Sequence, residues 1–119
     1  MSVRIFALAI VVQAFCATSA IAGELLYTLE SEVKLPSTDT GWDYIKMEPG
    51  SSRLFMARMK DGLTVYDVDA GRVVAHVENS VGANGPLLLP QYNRGYIAMT
   101  DGSLLVLDLK SLKPLDRKD

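Results

Sequence analysis

Short apolar runs cut by glycine, proline, asparagine and aspartate make up most of this chain. Glu24-Leu25-Leu26-Tyr27-Thr28-Leu29 predicts a first strand, because its residues suit a pleated surface. Pro36-Ser37-Thr38-Asp39-Thr40-Gly41 follows as a loop of turn-formers. Four strands are expected next, over 43–48, 53–59, 63–69 and 72–77. Pro49-Gly50-Ser51-Ser52, Lys60-Asp61-Gly62 and Ala70-Gly71 separate them. Asp61-Gly62 favours the positive φ angles of a tight hairpin. Residues 79–86, rich in glycine and asparagine, predict a loop. Strands over 87–89, 94–100 and 103–109 come after it, with Asp101-Gly102 as a second hairpin. Residues 113–117 begin a further strand that the chain end cuts off. No stretch has a helical period, so the predicted class is all-β.

The same order of elements recurs, and so do the residues. Set Pro49-Gly50-Ser51-Ser52-Arg53-Leu54-Phe55-Met56-Ala57 beside Pro90-Gln91-Tyr92-Asn93-Arg94-Gly95-Tyr96-Ile97-Ala98, 41 positions on. Pro, Arg, the aromatic, the large aliphatic and Ala return in register. The same offset carries Leu63-Thr64-Val65-Tyr66-Asp67-Val68 onto Leu104-Leu105-Val106-Leu107-Asp108-Leu109. A period of about 40 residues rich in short strands is the signature of propeller blades. One such unit cannot bury both its faces alone and needs neighbours. Leu54-Phe55-Met56-Ala57 and Tyr96-Ile97-Ala98-Met99 are apolar on both faces, as inner strands pressed between two other sheets would be. The expected architecture is therefore a partial β-propeller of two four-stranded antiparallel blades, residues 42–81 and 82–119. Residues 23–41 hold a strand and loop, and that strand would close the ring in a longer protein. Propellers need about 4 to 8 blades. The chain is thus expected to be a fragment or to assemble in several copies, with apolar residues such as Phe55, Met56, Tyr96 and Ile97 left open.

The N-terminus sets the compartment. Arg4 is followed by an apolar run over Ile5 to Phe15, interrupted by Gln13, and Ala20-Ile21-Ala22 offers small residues at both positions that signal peptidase reads. Residues 1–22 are read as a cleaved signal peptide, too short an apolar run to span a bilayer. The mature protein would begin at Gly23, in the periplasm or outside the cell, with no membrane attachment after cleavage. The single cysteine, Cys16, would leave with the signal, so the mature domain would hold together by its core alone. Without Arg4 the chain keeps 11 basic and 14 acidic residues, a net charge of −3, with Lys and Arg scattered. Such a surface gives no electrostatic reason to bind nucleic acid.

The string Pro49 to Ala57, followed by Val65-Tyr66-Asp67-Val68-Asp69-Ala70-Gly71-Arg72-Val73-Val74, resembles the YVTN-type β-propeller repeat. That repeat runs roughly Pro-Asp-Gly-x-Arg/Lys-Leu-Tyr-Val-Ala/Thr-Asn, then Val-x-Asp-x-x-x-Gly-Lys-Val. The resemblance covers residues 43 to about 115 and implies an exported bacterial protein. Full members carry about seven blades, and quinoprotein amine dehydrogenase-like propellers are related to them. Gln91-Tyr92 replaces Asp-Gly, Leu112 stands where the turn glycine falls, and Arg58 and Met99 stand where an Asn often closes the second strand.

Residues with chemistry are few. Asp67 and Asp108 recur at one position, which points to capping the following turn rather than to a unique active site. Trp42, Asp43 and Tyr44 lie at the start of the first innermost strand, and the matching stretch is Ala83-Asn84-Gly85. Trp42, Asp43, Tyr44 and Asn84 are the candidate ligand-binding residues, since aromatic faces with polar edges stack ligands or grip partners. The competing reading is that Trp42 fills space between blades. His76 is the only histidine and there is no second to join it in a metal site. Ser51 and Ser52 have no nearby base for a nucleophilic triad. Gly82-Ala83-Asn84-Gly85 lacks the phosphate-loop spacing. No catalytic residue, metal or cofactor is assigned.

The function these readings favour is an exported, non-catalytic binding or scaffold module. Its partner would be a protein or small molecule at the channel mouth, and a homo-oligomer is expected if the chain is complete. Two alternatives stand beside it. One is the N-terminal part of a quinoprotein-like dehydrogenase or lactonase propeller whose active site lies in further blades. The other is a complete short chain that oligomerises into a closed propeller.

Overall fold

The computed structural model describes residues 26–38 and 41–119. It divides into two units, Met1–Val33 and Lys34–Asp119. In the first, residues 26–33 are exposed and belong to no strand. The strand expected over 24–29 is therefore absent from its described part, 26–29; Leu26, Tyr27 and Leu29 bury nothing. A strand persists only where its N–H and C=O groups find a ladder, and both sheets of the second unit complete theirs from residues 42 onward. The expected signal peptide, 1–22, lies outside the described residues.

The second unit is all-β, with two antiparallel four-stranded sheets and no α-helix among the described residues. The first sheet is a meander of β1 (Trp42–Met47), β2 (Arg53–Arg58), β3 (Gly62–Asp67) and β4 (Arg72–His76). The second repeats that order with β5 (Ala83–Leu89), β6 (Arg94–Met99), β7 (Leu104–Asp108) and β8 (Pro114–Lys118). Neither sheet closes on itself. Two elements differ from expectation. β5 begins at Ala83, so the loop expected over 79–86 ends at Gly82; Pro86 is tolerated because β5 is an edge strand and one missing N–H costs no ladder bond. β8 pairs with β7 over Pro114 to Lys118, one residue on from the expected 113–117.

Positions 41 residues apart share irregularities as well as strands. The β1–β2 and β5–β6 ladders both shift register near their start, between Trp42 and Ile45 and between Ala83 and Gly85. The β3–β4 and β7–β8 ladders both shift between their central residues, at Val65/Tyr66 and Val106/Leu107. Asp67 accepts from the Ala70 N–H at 2.9 Å and from the Ser52 hydroxyl at 2.9 Å. Asp108 accepts from the Ser111 N–H at 2.8 Å and from the Asn93 side-chain amide at 2.6 Å. These bonds, the backbone N–H first, hold both carboxyls below the usual carboxylate value. Both aspartates cap turns. Gly71 has φ 64°, and Leu112 adopts φ 56° at the same place despite its side chain.

The core lies between the sheets. Phe55, Ala57, Leu63 and Val65 of β2 and β3 meet Leu88, Ile97, Leu105 and Leu107 of β5, β6 and β7. Arg53 spans the same gap: its Nη1 donates to the Leu109 carbonyl at 2.7 Å, while Nε and Nη2 donate to the Glu48 carboxylate, each at 2.6 Å. Burial departs from expectation here: Phe55, Met56 and Ile97 are fully covered, and only Tyr96 of the four residues expected to be open is partly exposed.

The connection between sheets is tied to the β2–β3 hairpin. Ser80 is buried; its Oγ accepts from the Leu63 N–H at 2.7 Å and donates to the Val77 carbonyl at 2.6 Å. Gly62 has φ 76°, and a Cβ there would lie 2.5 Å from Ser80 Oγ. Gly62→Val therefore meets both backbone strain and a clash, and should cost about 3 kcal/mol. Ser51→Ala, in an exposed turn, should cost no more than about 0.5 kcal/mol. Thermal melts of the two variants check this, and equal shifts would count against the turn geometry.

Candidate functional site

The first strands of the two sheets, β1 and β5, run beside each other. This brings Asn84 to Asp43 from 41 residues away. With the Asn84 amide turned so that its nitrogen faces the carboxylate, it donates to both Asp43 oxygens, at 3.3 Å to Oδ1. Both residues sit in the register shifts at the strand starts. Asp43 and Tyr44 together oppose the single residue Ala57, and Asn84 has no partner residue in β6. Bulges of this kind re-aim side chains, and here they turn two equivalent positions toward each other.

Tyr44 lies over β5 where glycine leaves room. A Cβ on Gly85 would come within 3.4 Å of the Tyr44 ring. The rest of Tyr44 is open, at 70% exposure, and Trp42 is 43% exposed. The Trp42 indole stacks against the guanidinium of its cross-strand neighbour Arg58, 5.2 Å from ring centroid to Cζ. Trp42 is thus held within its own sheet while keeping one face to solvent. All four candidate residues fall at the starts of β1 and β5, and together they make a polar and aromatic strip along these two strands.

Beneath that strip lies a group the sequence reading passed over. Arg58 is only 2% exposed. Its Nη2 donates to Asp61 Oδ2 at 2.8 Å and to the Pro36 carbonyl, Nη1 reaches Thr64 Oγ1 at 3.4 Å, and Nε has no partner among the described residues. Burying a guanidinium is costly unless its charge is paired, and Asp61 supplies that pairing. Asp61 also gathers residues 37–38, accepting from the Ser37 and Thr38 hydroxyls and from the Thr38 N–H at 3.1 Å. The available signal was Arg58 itself, a charge at the end of an otherwise apolar strand.

The chain matches no family model and no curated protein. What the site can do is therefore read from its groups.

A carboxylate bonded to an amide, beside two aromatic faces, is suited to recognition by stacking and hydrogen bonding. Two surface cavities among the described residues lie away from these side chains. One, of about 650 Å³, is lined by residues 47–52 with Val68 and Asp69, and the other by Asn79, Leu105 and residues 114–117. His76 is exposed on β4 with its Nδ1 3.3 Å from Thr64 Oγ1. The Ser52 hydroxyl is engaged by Asp67. Among the described residues no group of three His, Cys, Asp or Glu side chains is placed to hold a metal ion.

The site's electrostatics give a pH test. The Ser37 hydroxyl first, then Thr38, with Arg58 adding charge, holds the Asp61 carboxyl down to about 2 from its usual 3.8. The Ser103 hydroxyl and N–H, with Arg117, do the same to Asp101, also to about 2. A lowered folded-state value means that the unfolded chain takes up the proton first. The stabilisation is then complete above the ordinary carboxylate value and is lost as the pH falls through about 2. Asp61→Asn should melt lower than the parent at neutral pH and lose less on acidification between about pH 4 and pH 2. Parallel melting-temperature profiles for parent and variant would refute the assignment.

Proposed function

We propose that residues 42–119 are two successive blades of a β-propeller and that the protein is an exported, non-catalytic binding or scaffold module. One observation supports this more than any other. Asp43 and Asn84, equivalent by the 41-residue offset, bond to each other across the two innermost strands. Units stacked by a repeated rotation about an axis beside those strands bring equivalent positions together in this way. The cross-sheet bond from Arg53 and the apolar fit of β2 and β3 onto β6 and β7 agree with it. The strip of Trp42, Asp43, Tyr44 and Asn84 is the recognition surface of this reading, at the mouth of the channel that such blades enclose.

A double-mutant cycle tests the stacking. Asp43→Ala, Asn84→Ala and the double variant, unfolded in urea, should give a coupling of about 1 kcal/mol. Zero coupling would remove the link on which the proposal rests.

Export has its own check. Protein secreted from a bacterial host should begin at Gly23 by intact mass, because Ala20-Ile21-Ala22 is the best small-x-small site. Retention of Met1 on secreted material would contradict it.

A further inference from the structure

Glycine after asparagine or aspartate takes away the side chain that shields the next backbone nitrogen, and asparagine is itself chemically labile. Three such pairs occur in the chain: Asp61-Gly62, Asn84-Gly85 and Asp101-Gly102. The structure holds them unequally. Asp61 accepts from the Ser37 and Thr38 hydroxyls and pairs with Arg58. Asp101 accepts from the Ser103 N–H at 3.0 Å and from Arg117 Nη2 at 2.7 Å. Among the described residues, the Asn84 side chain is held by Asp43 alone.

The backbone around Asn84 is held loosely as well. β5 is an edge strand, and Asn84 lies in the register shift between Ala83 and Gly85, without a partner residue in β6. It is half-buried rather than enclosed. Local opening is least costly at such a place, an edge-strand start beside a bulge. Asn93 is the contrast. Its Nδ2 donates to Asp108 at 2.6 Å, its Oδ1 accepts from the Lys110 N–H at 2.9 Å, and the bulky Arg94 follows it. Asn79, the third asparagine, precedes the buried Ser80.

We propose that Asn84 is a site of spontaneous deamidation held in check by Asp43, and that its conversion turns the bond between β1 and β5 into a repulsion. When the Asp43–Asn84 pair opens, the Gly85 nitrogen gives its proton to solvent and bonds to Asn84 Cγ. The Cγ–Nδ2 bond breaks and ammonia leaves with that electron pair and a proton. Water then adds to either carbonyl carbon of the resulting succinimide and breaks that carbon's bond to the ring nitrogen. The product is an aspartate or isoaspartate at position 84, and no oxidant or reductant is needed. A donor facing the Asp43 carboxylate is thereby replaced by a second carboxylate, and like charges so placed oppose the contact. The proposal uses the Asp43–Asn84 contact and stands whether or not the two sheets belong to a propeller.

The test incubates the full chain in mildly alkaline buffer and follows amide loss at Asn79, Asn84 and Asn93 separately by peptide mass mapping. Conversion should be confined to Asn84 while the chain stays folded. Asp43→Ala should speed it about fivefold, since one hydrogen bond no longer opposes opening. Asp43→Asn, which keeps an acceptor oxygen, should fall between parent and Asp43→Ala. Gly85→Ala should slow conversion severalfold; its Cβ would meet the Tyr44 ring at 3.4 Å, an ordinary contact, so the strand is kept. Asn79 and Asn93 report global unfolding, which would speed all three sites together; if Asp43→Ala does this, the Asp43→Asn rate decides. Three results would each overturn the proposal: no conversion at Asn84, conversion of Asn79 or Asn93 at the same pace in the folded parent, or a folded Asp43 variant no faster than the parent. The repulsion is read apart from the chemistry. Asn84→Asp should melt below Asn84→Ala at neutral pH, and an equal or reversed order would remove it.

Discussion

A β-sheet this apolar has two faces to hide, and the contact between the sheets answers that constraint for one face of each. Phe55, Ala57, Leu63 and Val65 fit Ile97, Leu105 and Leu107, and the other features follow from it. Arg53 can give its Nη1 to the Leu109 carbonyl only because the sheets are in register across the gap. Asp43 and Asn84 meet only because β1 and β5 are drawn together. The contact is also directional: the two sheets meet through different faces, so the contact leaves one face of the second sheet without its equivalent partner.

Much of this was legible in the sequence because short apolar runs and the turn residues between them are local signals. Asp61-Gly62 and Asp101-Gly102 marked the hairpins, and the strands over 53–58 and 94–99 began where Arg53 and Arg94 placed them. The failures are where local signals mislead. Gly82, Asn84, Gly85 and Pro86 look like a loop, yet an edge strand with a bulge accommodates them, and nothing local announces that β5 will find β6. Leu26, Tyr27 and Leu29 look like a strand, but propensity without a partner makes none. Of the candidate site, the aromatic pair and Asp43 were visible as an unusual cluster. Arg58 was not, because its significance lies in what surrounds it: Asp61, Thr64, the Pro36 carbonyl and the Trp42 ring.

That guanidinium gives the strip above it a firm base. Trp42 rests on a charge that is itself fixed by Asp61, so its indole presents a preset orientation. Asp43 is likewise set by Asn84. Side chains already fixed in this way would lose little rotamer freedom in any further contact. The Leu112 turn makes a related point about backbone. Its φ of 56° and the bond from its N–H to the Asp108 carbonyl at 2.9 Å are kept without glycine, so hydrogen bonding and the partly buried leucine side chain outweigh the local strain.

The stretch joining the sheets carries a consequence of its own. Ser80 bonds to Leu63 and Val77, the Gly82 N–H donates to the Met59 carbonyl at 2.7 Å, and its carbonyl accepts from Thr100 at 2.8 Å. Residues 77–83 are therefore tied to both sheets, and their number acts as a gauge: it limits where the second sheet can sit against the first. Lengthening that segment by one residue would shift the second sheet against the first while leaving every strand ladder intact. Geometry that is usually credited to core packing is here metered in part by chain length.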